Sequence, residues 1–306
     1  MDQQKILITG ANGLLGQWLV RAVLQENFKV IATGKGPGRF PFQFGPGGKY
    51  AELDITDGNM VDEFLKMERP DLIVHAAAIT QPDACELDKV SCWNCNVTGT
   101  RFLIDASTKS GSFFVFISTD FVFSGEAGPY REEDLPDPVN YYGSSKWAAE
   151  KAVEESGLDS SIIRTCLLYG NSLNGSRPNL VTWVRDSLEN KKPIRVVNDQ
   201  WRTPTYVEDL VSGIILVLKK RARGIFHISG KEMLTPFDMA VKTAEHFNLD
   251  QSLIEKVDAS SFSQPAKRPV KTGFIIEKAV SLLGYQPRTF GEALQRMSEE
   301  KKAYAG

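Results

Sequence analysis

The segment ILITGANGLLGQ, residues 6–17, decides the fold. Its short apolar run ends at Gly10, and Gly13 and Gly16 follow at three-residue intervals before a segment with helical spacing. Glycines between a strand and a helix permit a tight turn, a close approach of the backbone to a pyrophosphate and close helix–strand packing. The helix N-terminus then faces the anion. The pattern predicts a dinucleotide-binding βα unit; the alternative is a βα turn whose glycines serve packing only.

Strand-like apolar runs alternate with helical segments through the first half of the chain. Such alternation is typical of a parallel sheet covered by helices on both faces. Right-handed crossovers make this a doubly wound α/β (Rossmann) fold. The alternation loosens after about residue 166. We therefore predict a cofactor-binding Rossmann domain over residues 1–165, rejoined by about residues 205–230, and a smaller C-terminal substrate-binding lobe over most of residues 166–306.

Composition and charge narrow the classes of function. The chain has 306 residues, of which 24% are charged, and its formal net charge is -2. This balance carries no footprint of binding to nucleic acid or to an anionic membrane. No apolar run approaches the roughly 18 residues that a membrane span needs. The first residues enter a strand pattern at once, so we expect no signal peptide. We expect a cytoplasmic protein.

The four cysteines include a C-x-x-C pair, Cys92 and Cys95. This spacing is found in redox pairs and in zinc sites. A zinc site requires four ligands, and the sequence contains no second C-x-x-C and no nearby histidine cluster. The pair lies in a segment with the pattern of an amphipathic helix. We therefore predict buried or half-buried thiols without chemistry and no bound metal.

The end of the second strand, VIATGKGPGR (residues 30–39), bears on the choice of dinucleotide. An NAD site usually places a carboxylate here for the ribose 2′-hydroxyl. This segment instead has Lys35 and Arg39, which favours a 2′-phosphate and hence NADP(H), with NAD(H) as the alternative. The two cations could equally be solvated, because the Gly- and Pro-rich loop over residues 34–50 is predicted to be irregular. Asp54 ends the presumed third strand, where a carboxylate could reach the adenine amino group.

A tyrosine and a lysine four residues apart, Tyr142 and Lys146, open a predicted helix. Residues at this spacing are neighbours on any helix, so the spacing alone does not decide their role. The fifth strand ends at Ser118, Thr119 and Asp120, at the sheet edge where ligands bind in doubly wound folds. A phenol with a pKa near 10 is a poor catalyst at neutral pH, and a nearby ammonium lowers that pKa. The segments together predict an acid–base site beside the dinucleotide.

Several motifs resemble those of a known family. GANGLLG (10–16), STDFVF (118–123), YYGSSK (141–146) and RTCLLYG (164–170) are similar to those of the extended short-chain dehydrogenase/reductases. PYREEDLPDPVNYYGSSK (129–146), DQWRTPTYVEDL (199–210) and PAKRP (265–269) narrow the resemblance to the dTDP-4-dehydrorhamnose reductase group. The resemblance covers nearly the whole chain.

The resemblance implies roles for particular residues. Thr119 would hold the substrate carbonyl, Tyr142 would donate a proton, and Lys146 would lower the pKa of the tyrosine and bind the nicotinamide ribose. The implied reaction is hydride transfer from NADPH to a nucleotide-linked 4-keto-6-deoxy sugar. The residues predicted to bind the cofactor are Gly10, Asn12, Gly13, Leu14, Leu15, Gly16, Lys35, Arg39, Asp54, Ile55, Ala76, Ala77, Ala78, Tyr142 and Lys146. Those predicted to bind the substrate are Thr119, Asp120, Arg202, Thr203 and Arg268.

Other functions remain open at this level. Arg202, Thr203 and Arg268 could serve structural ion pairing and loop capping. Leu167 and Leu168 occupy a segment where rhamnose-pathway enzymes often have an aromatic residue, which leaves the sugar undecided. A nucleotide-sugar epimerase or dehydratase that retains NAD is one alternative. The other is a regulatory protein like the β subunit of methionine adenosyltransferase, which resembles the same group and binds a partner enzyme. For the assembly, a homodimer is one candidate.

Overall fold

A parallel sheet lies at the centre of the protein. Within residues 3–304, the part of the chain that the structure, a computed structural model, describes (side chains to residue 300), seven strands form this sheet. The strands of the protein are β1 Gln4–Thr9, β2 Phe28–Gly34, β3 Gly48–Glu52, β4 Leu72–His75, β5 Phe113–Thr119, β6 Ser160–Thr165, β7 Leu168–Tyr169, β8 Ile194–Val197, β9 Thr205–Tyr206, β10 Gly224–His227 and β11 Ile254–Val257.

The strand order of the central sheet reverses beside β1. The order is β10-β6-β5-β4-β1-β2-β3, and Ile6 of β1 pairs with Val30 of β2 on one side and with Leu72 of β4 on the other. The chain therefore builds outward from β1 in one direction and then returns to build in the other. A crevice opens at such a switch point, beyond the carboxyl ends of the strands. The doubly wound α/β fold predicted from the sequence is confirmed.

Helices bury both faces of the central sheet. Ile6 and Ile8 lie in one apolar cluster and Leu7 in the other, because successive side chains of a strand point to opposite faces. Each such side chain contributes about 1.5–3 kcal/mol when it is buried. The helices are α1 Leu14–Val23, α2 Gly58–Glu68, α3 Pro82–Leu87, α4 Lys89–Trp93, α5 Gly99–Ser110, α6 Tyr141–Glu155, α7 Leu180–Glu189, α8 Val207–Lys220, α9 Pro236–His246 and α10 Phe290–Tyr304. Among the helices in the described residues, none has the length and apolarity required to cross a membrane.

The C-terminal part of the chain divides between the sheet and a small lobe. In the lobe, α7 and α9 pack with the parallel pair β8–β11 around Val184, Ile194 and Ala240. The intervening segment returns to the sheet, where α8 packs against α1 and Ile225 of β10 pairs with Ile162 of β6. Helix α8 and strand β10 thus belong to the Rossmann layer and not to the lobe.

Two segments differ in detail from the sequence predictions. The single helix predicted across CWNC is interrupted by a π-helical turn, Asn94–Thr98, between α4 and α5. The buried Asn96 lies in this turn, and its side-chain amide hydrogen-bonds with the backbone N–H and C=O of Ile79. Insertions of this kind are often found at functional sites. The third strand, β3, begins at Gly48, earlier than the sequence pattern indicated.

Candidate active site

A cavity of about 1140 Å³ opens at the switch point beside β1. It is bordered by the glycine-rich loop, by the carboxyl ends of the central strands and by the first turn of α6. Three predicted site residues, Arg39, Arg202 and Thr203, do not border it. The predicted residues that do are Gly10, Asn12, Gly13, Leu14, Leu15, Gly16, Lys35, Asp54, Ile55, Ala76, Ala77, Ala78, Thr119, Asp120, Tyr142, Lys146 and Arg268.

The glycine-rich loop leaves backbone donors open to the cavity. Gly10 has a φ of 68°, and a β-carbon there would lie 2.6 Å from the amide nitrogen of Ala77, so only glycine fits. Gly13 caps α1, and no described side chain hydrogen-bonds to the first turn of this helix. Free N–H groups at the positive end of a helix favour an anion. The loop therefore fits the pyrophosphate of a dinucleotide.

The end of β2 presents one cation to the cavity. The Lys35 ammonium lies 2.8 Å from the Asp54 carboxylate, and its side chain is 83% exposed. Hydrogen bonds from Lys35 and from Thr56 lower the pKa of Asp54 to about 2. Arg39 lies outside the cavity lining, and its backbone N–H donates to Asn12 Oδ1 at 2.9 Å. Of the two predicted cations, Lys35 is therefore the one placed to meet a ligand at this end.

Helix α6 begins where its first turn can approach the end of β5. The Asn140 side chain caps the helix by accepting from the Gly143 N–H at 2.9 Å. A β-carbon at Gly143 would lie 2.1 Å from the Phe121 carbonyl oxygen, so glycine permits this close approach. The Asn140 amide also donates to the Lys267 carbonyl at 2.8 Å, which ties the helix to the lobe. These contacts place Tyr142 beside Thr119.

The electrostatic setting of Tyr142 differs from the one that its spacing to Lys146 suggested. Burial raises the pKa of the Tyr142 phenol well above its usual range, and a hydrogen bond with the Thr119 hydroxyl offsets this only in part. The Lys146 ammonium lies 3.9 Å from the centre of the Phe116 ring. Burial lowers the pKa of Lys146 to about 8. Because the pKa of Tyr142 is raised, its phenol keeps its proton at neutral pH.

The sequence placed Ser118 at the ligand-binding edge of the sheet without giving it a role, and it gave no indication of Asn96. Ser118, at the end of β5, borders the cavity with a buried hydroxyl that has no hydrogen-bond partner within the described residues. An unpaired buried polar group of this kind points to a ligand. Asn96 of the π turn donates to Ser145 Oγ at 3.0 Å, and Ser145 Oγ donates to the Tyr142 carbonyl at 2.7 Å. A π turn is not visible in a sequence pattern, so Asn96 had no signal there.

An ion pair between Arg268 and Asp83 of α3 lies at the border of the cavity. Both terminal nitrogens of Arg268 lie 2.7 Å from the Asp83 carboxylate oxygens. This pairing lowers the pKa of Asp83. Bidentate pairs of this type fix the geometry of the guanidinium. Arg268 therefore borders the cavity with both terminal nitrogens already bonded to protein groups.

Arg202 and Thr203 support the site from behind. The Arg202 guanidinium donates to the Pro269 carbonyl at 2.7 Å and lies 3.6 Å from the Asp120 carboxylate. The Thr203 hydroxyl donates to Ser229 Oγ at 3.1 Å. Both side chains are buried and absent from the cavity lining. Both side chains bond to protein groups, which is the structural alternative of ion pairing and loop capping that the sequence left open.

The thiols lie under the site. Cys85 and Cys92 are buried in one cluster with Tyr142, and Cys95 is half-buried at the cavity wall. All three, and the buried Cys166, are free. Within residues 3–304 there is no cluster of three or more side chains that could ligate a metal ion.

Comparison with known proteins agrees with this architecture. The spore coat polysaccharide biosynthesis protein SpsK of Bacillus subtilis is 32% identical over 300 residues, 98% of each chain. Methionine adenosyltransferase 2 subunit beta of Bos taurus is 33% identical over 266 residues, 85% of this chain and 77% of that protein. A crystal structure of dTDP-4-dehydrorhamnose reductase from Bacillus anthracis, in complex with NADP, has a TM-score of 0.86 at 30% identity and covers 97% of this chain and 99% of that one.

These similarities confirm the predicted group of relatives. A model of the RmlD substrate binding domain matches residues 4–303. The relatives of this chain include dTDP-4-dehydrorhamnose reductases and methionine adenosyltransferase β subunits. The chain therefore belongs to the RmlD substrate-binding domain family of the extended short-chain dehydrogenase/reductases.

Proposed function

We propose that the protein reduces a nucleotide-linked 4-keto-6-deoxy sugar with NADPH. This proposal depends on one observation: the glycine-rich loop, Thr119, Tyr142 and Lys146 border the same cavity. A redox cofactor and a proton donor must share one cleft for carbonyl reduction. The relative from Bacillus anthracis, a dTDP-4-dehydrorhamnose reductase bound to NADP, supports the substrate class and the cofactor.

The cofactor fits the residues that border the cavity. Gly10 and the open first turn of α1 would hold the pyrophosphate, and Lys35 would meet the 2′-phosphate. Ser118 offers an unpaired hydroxyl at the end of β5, on the side of Tyr142. When bound, the reduced nicotinamide supplies a hydride for the substrate carbonyl.

Tyr142 holds the proton that the reduced oxygen requires. Because burial raises its pKa, the phenol is protonated at neutral pH and can act as a general acid. The Thr119 hydroxyl lies beside it and can donate to the same substrate oxygen, where a hydrogen bond strengthens as negative charge develops. The Lys146 ammonium adds a positive charge one helical turn away, which favours the phenolate left after proton transfer.

The test is a screen of nucleotide-linked 4-keto-6-deoxy sugars. The purified protein is mixed with NADPH and each sugar, and the absorbance of the reduced cofactor is followed. We expect turnover with at least one of the sugars and none with the sugar nucleotide whose 4-position is already reduced. Lack of turnover with every 4-keto sugar, by a protein that binds NADPH, would overturn the proposal.

A second candidate function is regulatory. The similarity to methionine adenosyltransferase 2 subunit beta favours it, because that relative is named as a subunit of another enzyme. Co-purification with a methionine adenosyltransferase, together with failure to oxidise NADPH with any keto sugar, would favour this candidate.

A further inference from the structure

The side-chain amide of Asn12 joins the glycine-rich loop to the segment that follows β2. Its nitrogen donates to the Pro37 carbonyl and to the Tyr50 hydroxyl, each at 3.1 Å. Its oxygen accepts from the Arg39 N–H at 2.9 Å. Both the nitrogen and the oxygen of this amide therefore bond to β3 or to the connection between β2 and β3.

The phenol of Tyr50 completes this clamp. It reaches from β3 to the Gly34 carbonyl at 3.0 Å and to the Gly36 carbonyl at 2.5 Å, on either side of Lys35. Its ring lies 5.7 Å from the ring of Phe40, within an aromatic group at the base of the loop. Burial raises the pKa of this phenol, which therefore stays a hydrogen-bond donor at neutral pH.

The clamp holds the backbone on both sides of Lys35 and leaves its ammonium exposed. The ammonium pairs with Asp54 alone among the described ion pairs, with its side chain 83% exposed. A fixed backbone with a reachable charge is preorganised for an anionic group, because little conformational entropy is then lost on binding. A ligand with a phosphate near the end of β2 would benefit from this order.

We propose that Tyr50 is a positioning residue that sets the preference for a 2′-phosphorylated dinucleotide. It acts through the carbonyls of Gly34 and Gly36 and through Asn12, and it does not contact the ligand. The inference rests on the proposed function, in which Lys35 meets the 2′-phosphate. If Tyr50 were only a structural residue, its loss would reduce stability and change the affinities for NADPH and NADH equally.

The test compares Tyr50→Phe with the wild-type protein. The substitution keeps the ring and removes the donor to Gly36 and the acceptor for Asn12. The dissociation constants of NADPH and NADH are measured by fluorescence titration. We expect the dissociation constant of NADPH to rise about tenfold, as the loss of one or two modest hydrogen bonds implies. The dissociation constant of NADH should stay within about twofold of the wild-type value. Equal changes for both cofactors, or none, would overturn the inference.

Tyr285→Phe is the matched control. It removes a buried hydroxyl that donates to the Ser229 carbonyl at 3.1 Å. Tyr285 is far from residues 34–50 in the sequence, and its substitution should leave the ratio of the NADPH and NADH dissociation constants unchanged. Hydrogen exchange of the peptide over residues 34–44, without cofactor, provides a second readout. Exchange should become faster in Tyr50→Phe and not in the control. Unchanged exchange in Tyr50→Phe would also overturn the inference.

Lys35→Ala separates this inference from the function on which it rests. If Lys35→Ala removes the preference for NADPH and Tyr50→Phe does not, the positioning role alone is overturned. If the wild-type protein binds both cofactors equally, the assignment of Lys35 to the 2′-phosphate is overturned, and the role of Tyr50 with it.

Discussion

Replacement of Tyr142 by Phe tests the proposed chemistry most directly. The change keeps the ring, whose centre lies 5.7 Å from the centre of the Phe121 ring and which packs with Cys85 and Cys92. It removes the hydroxyl beside Thr119. A lost hydrogen bond of this kind costs about 1 kcal/mol of stability, whereas loss of a general acid costs about 10²–10⁴ in rate, or about 3–5 kcal/mol in the barrier. The rate should therefore fall much more than the stability.

The assay is single-turnover oxidation of bound NADPH by a 4-keto sugar nucleotide. Cofactor affinity of Tyr142→Phe should match that of the wild-type protein, since the phenol adds little to binding of the dinucleotide. Because burial lowers the pKa of Lys146 to about 8, wild-type turnover should also decline as the pH rises through that value and the ammonium loses its proton. A Phe variant that turns over at the wild-type rate would refute the assignment of Tyr142 as the acid, even with fold and cofactor intact.

Three further predictions concern the cofactor, the thiols and acid stability. Lys35→Glu should narrow or invert the preference for NADPH over NADH, and equal titration curves for wild type and variant would contradict this. Joint replacement of Cys92 and Cys95 by Ala should leave turnover within a few fold, and a stoichiometric metal in the purified protein would argue otherwise. Burial lowers the pKa of His75 and of His227 to about 3, below the value of about 6.5 in an unfolded chain. The unfolded state therefore binds more protons below that pH, and the free energy of unfolding should fall by about 2 kcal/mol per histidine at pH 5. Urea titrations check this, and a slope that His75→Gln leaves unchanged would count against it.

The sequence predicted the central sheet because its signals are local. The apolar runs at β1, β4 and β5 and the glycines after β1 determine strand, turn and helix over a few residues each. The right hand of the crossovers, which holds for nearly all parallel sheets, then places the connecting helices on the two faces of the sheet. The order of the strands is known only from the structure. The π turn at Asn96 was missed, since one extra residue in a helix leaves the apolar pattern almost unchanged.

The sequence by itself determined that a dinucleotide cleft and a Tyr142–Lys146 pair occur in this chain, since both depend on short spacings. Only the tertiary structure decided how these groups are arranged. It buries the phenol, so its pKa is raised where a neighbouring ammonium alone would lower it. It engages the Arg202 guanidinium with backbone carbonyls, and Arg202 does not border the cavity. Burial and the direction of a side chain depend on residues far apart in the chain, which meet only when the fold brings them together.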